Sequence, residues 1–170
     1  MEIPRLNVTV HPIYFQGAIE GSAEYQQRLT IAKDFAEYWR KGYSPDFGRD
    51  RPLERPDGIQ ESGLCKVHVL LVKLTRTEQD FWDSKSSCNL APFDRSHCDS
   101  CDSVLLYAVS EEGRALILAL YPENAHDLLK KPYHHILRGL GEHAKEYFKS
   151  VGEQPALEKD LLAFLRKPTC

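Results

Sequence analysis

The chain has 170 residues, 42% of them apolar and 28% charged, with a formal net charge of −3. That length favours one domain with a proper hydrophobic core, and the acidic balance argues against a general nucleic-acid binder, which is usually basic. Net charge says nothing of distribution, so a local basic patch is compatible with it. No apolar run approaches the roughly 20 residues needed to cross a membrane. The first residues, Met1-Glu2-Ile3-Pro4-Arg5, lack a signal-peptide pattern. Five cysteines without such a signal read as reduced thiols in a cytoplasmic protein. Lys167-Pro168-Thr169-Cys170 is not a prenylation box, because its cysteine comes last.

Leu6, Val8 and Val10 alternate with polar residues and predict a strand that Pro12 stops. Ser22 is placed to cap a helix, and Glu24 favours its first turn. Tyr25, Leu29, Ala32, Phe35, Ala36 and Trp39 then form one helical stripe, with Arg40, Lys41 and Gly42 suited to its end. Residues 43 to 63 are rich in Pro, Gly, Arg and Asp and read as loop, long enough to suggest a functional one. Cys65 to Leu71 alternates as a second strand, and residues 75 to 103 form another irregular, polar stretch. Val104 to Val109 predicts a third strand, Glu111-Glu112-Gly113 a hairpin connection, and Arg114 to Tyr121 an apolar fourth strand. Tyr133, Leu137, Leu140, Ala144, Tyr147, Phe148 and Val151 give a second helical stripe. Gly139 and Gly141 either weaken that helix or admit a close neighbour. Leu157, Leu161, Leu162 and Leu165 suggest a last short helix. The expected class is α+β, an antiparallel-rich four-stranded sheet with flanking helices.

Four segments stand out in order. Phe35-Ala36-Glu37-Tyr38-Trp39-Arg40-Lys41-Gly42 leads into Pro45-Asp46-Phe47-Gly48-Arg49-Asp50. Gly63-Leu64-Cys65-Lys66-Val67-His68-Val69 opens the second strand. Phe93-Asp94-Arg95-Ser96 precedes Leu105-Leu106-Tyr107, and Ala115 to Tyr121 runs into Pro122-Glu123-Asn124-Ala125-His126. Together these resemble the YafO-type toxins of bacterial type II toxin–antitoxin systems, over about residues 30 to 150. Here the first loop is one residue shorter than the family's Pro-Asp-x-Phe-Gly-Arg-Asp. Residues 97 to 103 are longer than the family segment, and residues 152 to 170 extend past the usual end. The resemblance implies a RelE-like fold over 1–151 with a C-terminal helical extension, 152–170. It also implies a ribosome-dependent endoribonuclease that cuts mRNA without a metal or other cofactor. Its partners would be the ribosome with bound mRNA and a cognate antitoxin, with no membrane and no DNA binding by itself.

Metal-free RNA cleavage must deprotonate the substrate's 2′-hydroxyl, protonate the 5′-oxygen that leaves, and stabilise charge on the phosphoryl oxygens. The first two tasks suit histidine and the third suits arginine. The candidates are His68, His97 and His126, with Arg49 and Arg95 as partners and Asp50 or Asp94 to orient them. Each has a plain alternative. His68 faces away from Val67 and Val69, which also fits an ordinary surface histidine. Arg49-Asp50 also fits an ion pair within a turn, and His126 a partner for a helix terminus. Tyr107 reads as core, and His134, His135 and His143 lie on the long helix away from these loops.

Cys98-Asp99-Ser100-Cys101 is half of a zinc site, with Cys88, His97 or Cys65 available to complete it, but a second clean half-site is missing. Two further readings remain beside the nuclease: a catalytically silent RelE-like binding module that acts through a protein partner, and a zinc-stabilised regulator.

Overall fold

The sheet is built around a hairpin of Val104–Val109 (β4) and Ala115–Tyr121 (β5). The structure is a computed structural model and describes residues 8–42, 44, 46–71 and 102–165. Nearly every residue of the two strands is buried, so both faces of the hairpin must be covered by other elements. Its turn closes through Ser110, whose carbonyl accepts from the Gly113 amide at 2.9 Å. Gly113 has φ 82°, a conformation that a side chain disfavours.

The strand order is β1-β5-β4-β3-β2, where β1 is Val8–Val10, β2 is Phe47–Pro52 and β3 is Leu64–Val69. Only β1, paired with β5, is parallel; the other three pairings are antiparallel. Leu6, expected in the first strand, lies outside the described residues.

The α+β class is as expected, but among the described residues the sheet has five strands rather than four. The extra strand is β2, within the stretch expected to be loop. Its residues are Phe-Gly-Arg-Asp-Arg-Pro, which lack an apolar alternation. The register shifts between Phe47 and Asp50, so a bulge breaks the two-residue period. One inward position is a carboxylate, Asp50, whose burial depends on hydrogen bonds that composition does not reveal.

Two cores lie on opposite faces of the sheet. On one face Ala23–Lys41 (α1) packs Phe35, Tyr38 and Trp39 against Cys65, Val67 and Tyr107. Its ends follow the predicted chemistry. Ser22 Oγ accepts from the Tyr25 amide at 3.2 Å, and Gly42 closes the helix at φ 74°. On the other face His134–Ser150 (α2) packs Leu137, Leu140, Ala144 and Phe148 against Leu64, Leu106, Leu116 and Leu118. The two glycines of α2 differ. A methyl at Gly141 would come within 3.1 Å of Ser62, whereas one at Gly139 would meet nothing within 4 Å. Only Gly141 therefore serves close packing.

The last helix, Glu158–Leu165 (α3), joins the α1 face. Ala156, Leu161, Phe164 and Leu165 share a core with Phe35 and Val67. The segment leading to it is tied to the end of β4: the Ala156 amide donates to the Val109 carbonyl at 2.9 Å. Arg114 also holds Glu153 through two contacts, Nε at 2.9 Å and Nη2 at 2.8 Å. Residues 153–165 thus close one of the two cores.

Candidate functional site

Side chains alternate between faces along a strand, so Leu64, Lys66 and His68 share the face of β3 that looks toward α2. Leu64 is under the α2 core, and toward the β2 edge that face becomes polar. His68 is only 2% exposed, so it is not the surface histidine that strand alternation also allowed. Its cross-strand neighbour is Val104.

His126 reaches the same place from β5, whose last residue, Tyr121, pairs with Val104 at the same end of the sheet. After β5, Pro122 ends the strand and the chain enters a tight 3-10 turn, Ala125–Leu129. Asn124 opens the turn at φ 56°, which asparagine tolerates better than most residues. Asp102, just before β4, anchors it: Oδ2 accepts from the Asn124 amide at 2.8 Å, and its carbonyl accepts from the Ala125 amide at 3.2 Å. This brings the His126 ring to 6.1 Å from the His68 ring, centroid to centroid. His126 Nε2 lies 4.0 Å from Asp102 Oδ1, and the His126 side chain is 63% exposed. One histidine is therefore buried in the sheet face, and the other stands above it open to solvent.

The basic residues of β2 border this pair. Arg51 stands directly opposite Lys66 in the strand register, and both Arg51 and Arg49 act on the Lys66 charge. Lys66 is half-buried. Burial first, then the two arginines, holds its ammonium below the usual lysine range, with Glu54 pulling the other way. A cleft of about 250 Å³ opens here, lined by Arg51, Glu54, Arg55, Lys66 and Leu129 among others.

Asp50 sits on the opposite face, paired in register with Val67. It is fully buried, and its two oxygens accept from Tyr38 Oη at 2.5 Å and Tyr107 Oη at 2.6 Å. Tyr107 belongs to the core, as expected. Burial, and then the Asp50 charge, pushes its phenol well above the ordinary value of 10.0, so it stays a donor. Cys65 lies in the same core, and burial likewise pushes its thiol up, followed by Asp50. A thiol held protonated is a poor zinc ligand. Among the described residues no group of three or more His, Cys, Asp or Glu is arranged to hold a metal.

Arg95, His97, Asp94, Cys88, Cys98 and Cys101 lie outside the described residues. His134 and His135 hydrogen-bond backbone carbonyls of Leu129 and Pro132 at 3.0 and 2.9 Å, and the His143 ring lies 5.2 Å from that of His11. The structure thus brings together His68 and His126, with Arg49 on the adjoining strand, and turns Asp50 to the other face. Sequence reasoning did not single out Arg51, Arg55 or Lys66. The signal for Lys66 was present, since it is two residues from His68 and so on the same face. Arg51 needed the β2 register, which the loop assignment removed.

A buried and an exposed imidazole beside several cations can supply a proton donor, a proton acceptor and charge stabilisation to one phosphate group. None of the described helices is long and apolar enough to cross a membrane. The family model for toxin YafO of type II toxin–antitoxin systems matches residues 25–150. No curated protein and no solved structure matches the chain.

Proposed function

The chain belongs to the YafO toxin family of type II toxin–antitoxin systems, and from that premise we propose that it is a metal-independent endoribonuclease that cleaves mRNA on the ribosome. In this reading the fold is RelE-like, the protein works in the cytoplasm, and a cognate antitoxin masks the site. The observation that carries the reading is the His68–His126 pair, 6.1 Å apart, beside the cations of β2 and β3.

The step is a transesterification. One imidazole takes the proton of the 2′-hydroxyl, whose oxygen attacks the adjacent phosphorus. The bond from phosphorus to the 5′-oxygen breaks, and the other imidazole, protonated, delivers a proton to that oxygen. The products are a 2′,3′-cyclic phosphate and a free 5′-hydroxyl. Arg49 offsets the charge that builds on the phosphoryl oxygens, and Arg95 and His97 are further candidates for the same chemistry. Asp50 acts behind it: held by Tyr38 and Tyr107, it fixes the β2 backbone from which Arg49 projects.

The test is expression with and without the cognate antitoxin, with growth, translation and mRNA 5′ ends measured together. Arrest with new 5′ ends, relieved by the antitoxin and by His68→Ala or Arg95→Ala, is the expected result. Harmless expression, and intact mRNA on purified ribosomes mixed with the protein, would sink the proposal. The acidic net charge favours a second reading, a binding module without cleavage. It predicts a stable antitoxin complex and no change in mRNA ends.

A further inference from the structure

We infer that the cleft between Arg51, Arg55 and Lys66 is a separate phosphodiester subsite, which holds the RNA backbone beside the phosphate that is cut. The inference rests on the nuclease reading for its substrate class and on the cleft and the opposed charges of β2 and β3 for its place.

Arg51 and Lys66 are directly opposite in the β2–β3 register. Like charges in that position destabilise a sheet, and Lys66 is half-buried as well, which adds a desolvation cost. A chain that is acidic overall nevertheless places these cations together, with Glu54 beside them, on one concave surface of about 250 Å³. An anion seated beside Lys66 would add to the relief that Glu54 gives, because it opposes the repulsion and replaces lost hydration. Leu129 and Pro52 add apolar lining. Single-stranded nucleic acid is held by grooves of this kind, which track the backbone with positive charge.

Position selects the ligand. Lys66 and His68 are two residues apart on one strand face, so their side chains start roughly 7 Å apart. That is the order of the spacing between successive phosphates in an extended strand. A backbone whose reacting phosphate lies at His68 and His126 therefore presents its neighbour to Lys66 and Arg51. An extended acidic peptide repeats at about the same spacing on one face, so the choice of RNA rests on the neighbouring His68–His126 pair, and a peptide is the occupant that the test must exclude.

The probe is a fluorescently labelled single-stranded oligoribonucleotide with 2′-O-methyl groups throughout, which binds but has no 2′-hydroxyl to react. Its affinity for the full chain is measured by anisotropy over a range of NaCl concentrations. Lys66→Gln and Arg51→Gln should each weaken binding several-fold at low salt. Each should also lower the slope of log K against log salt by about 0.7, the value for one phosphate contact on a single strand. Lys33→Gln removes the same charge from the exposed face of α1 and should leave the slope unchanged. Equal slopes in all three variants, no binding by the wild type, or weakened antitoxin binding with RNA binding intact would each overturn the assignment. Because the probe cannot be cleaved, the two readings separate. A protein that shows these slope changes yet leaves ribosome-bound mRNA intact keeps the subsite and loses the nuclease.

Discussion

The Tyr107 hydroxyl donates a 2.6 Å hydrogen bond to Asp50 Oδ1 across the interior, from β4 to the edge strand β2, with β3 between them. Tyr38 on α1 donates to the other oxygen at 2.5 Å. A fully buried carboxylate is tolerable only when such donors satisfy it. Removing one should therefore cost about 1.5–3 kcal/mol, the range for hydrogen bonds to charged groups. Tyr107→Phe, followed by urea denaturation, measures this. Because the folded state holds the Tyr107 proton above its ordinary value of 10.0, the associated stability is fully present below that pH and fades above it. The gap between wild type and Tyr107→Phe should accordingly shrink in alkaline solution.

If His68 and His126 share one proton-transfer cycle, removing either should lower the cleavage rate about 10²- to 10⁴-fold. Removing both should cost little more than removing one, since groups that act as a unit are not additive. Single-turnover cleavage on programmed ribosomes, with each alanine variant and the double, tests this. Multiplying losses would show two independent roles, and an unchanged rate would remove the residue from the mechanism.

Lys66 should be a residue whose loss stabilises the fold. Its ammonium is disfavoured by burial and by the arginines on β2, so the folded value is depressed. The cost is complete below that depressed value and disappears as pH rises toward the ordinary 10.5. Relief of the opposed charges is worth about 0.2–1 kcal/mol, so Lys66→Met should raise Tm near neutral pH by up to about 4 °C. The gain should narrow in alkaline solution, and scanning calorimetry at two pH values reads both effects. A Tm that falls would mean that Lys66 contributes more in packing than it costs in charge.

The Arg114–Glu153 pair holds the chain that leads into α3. Burial raises the Glu153 carboxyl, but hydrogen bonds from Arg114 and Ser110 and the Arg114 charge outweigh it, leaving a net depression below 4.5. The pair thus stabilises the fold above that pH and is lost as acid carries the solution through the depressed value. Arg114→Ala should cost about 1.5–3 kcal/mol at neutral pH, and less in acid. Phe164→Ala, deeper in the same segment, should cost about 3–5 kcal/mol. Such a loss is comparable to the lower end of a domain's total stability, about 5–15 kcal/mol. A chain cut after Gly152 should therefore fail to fold, which far- and near-ultraviolet dichroism would report.

What the sequence made legible was whatever is local. Ser22, the apolar stripe and Gly42 announce α1 because each acts within a turn or two of itself. The central hairpin is legible because its strands are apolar on both faces. The strand β2 was hidden because its inward residue is Asp50, and the tyrosines that make it acceptable come from α1 and β4. The same gap hid part of the site. Without β2 there is no partner for Lys66, and Arg51 looks like one more loop cation. His68 and His126 were each visible as chemistry, but their approach depends on Asp102 fastening the turn after β5.

The parallel pairing of β1 with β5 has a kinetic consequence. Val8 meets Ala115 more than a hundred positions along the chain, while the β4–β5 hairpin closes over a single tight turn. Closing so long a loop loses entropy before any contact compensates it. Three half-buried residues return little for that loss. The hairpin should therefore assemble early and β1 dock late. In the finished molecule the amides of Val8 to Val10 should open to solvent far more often than those of β4.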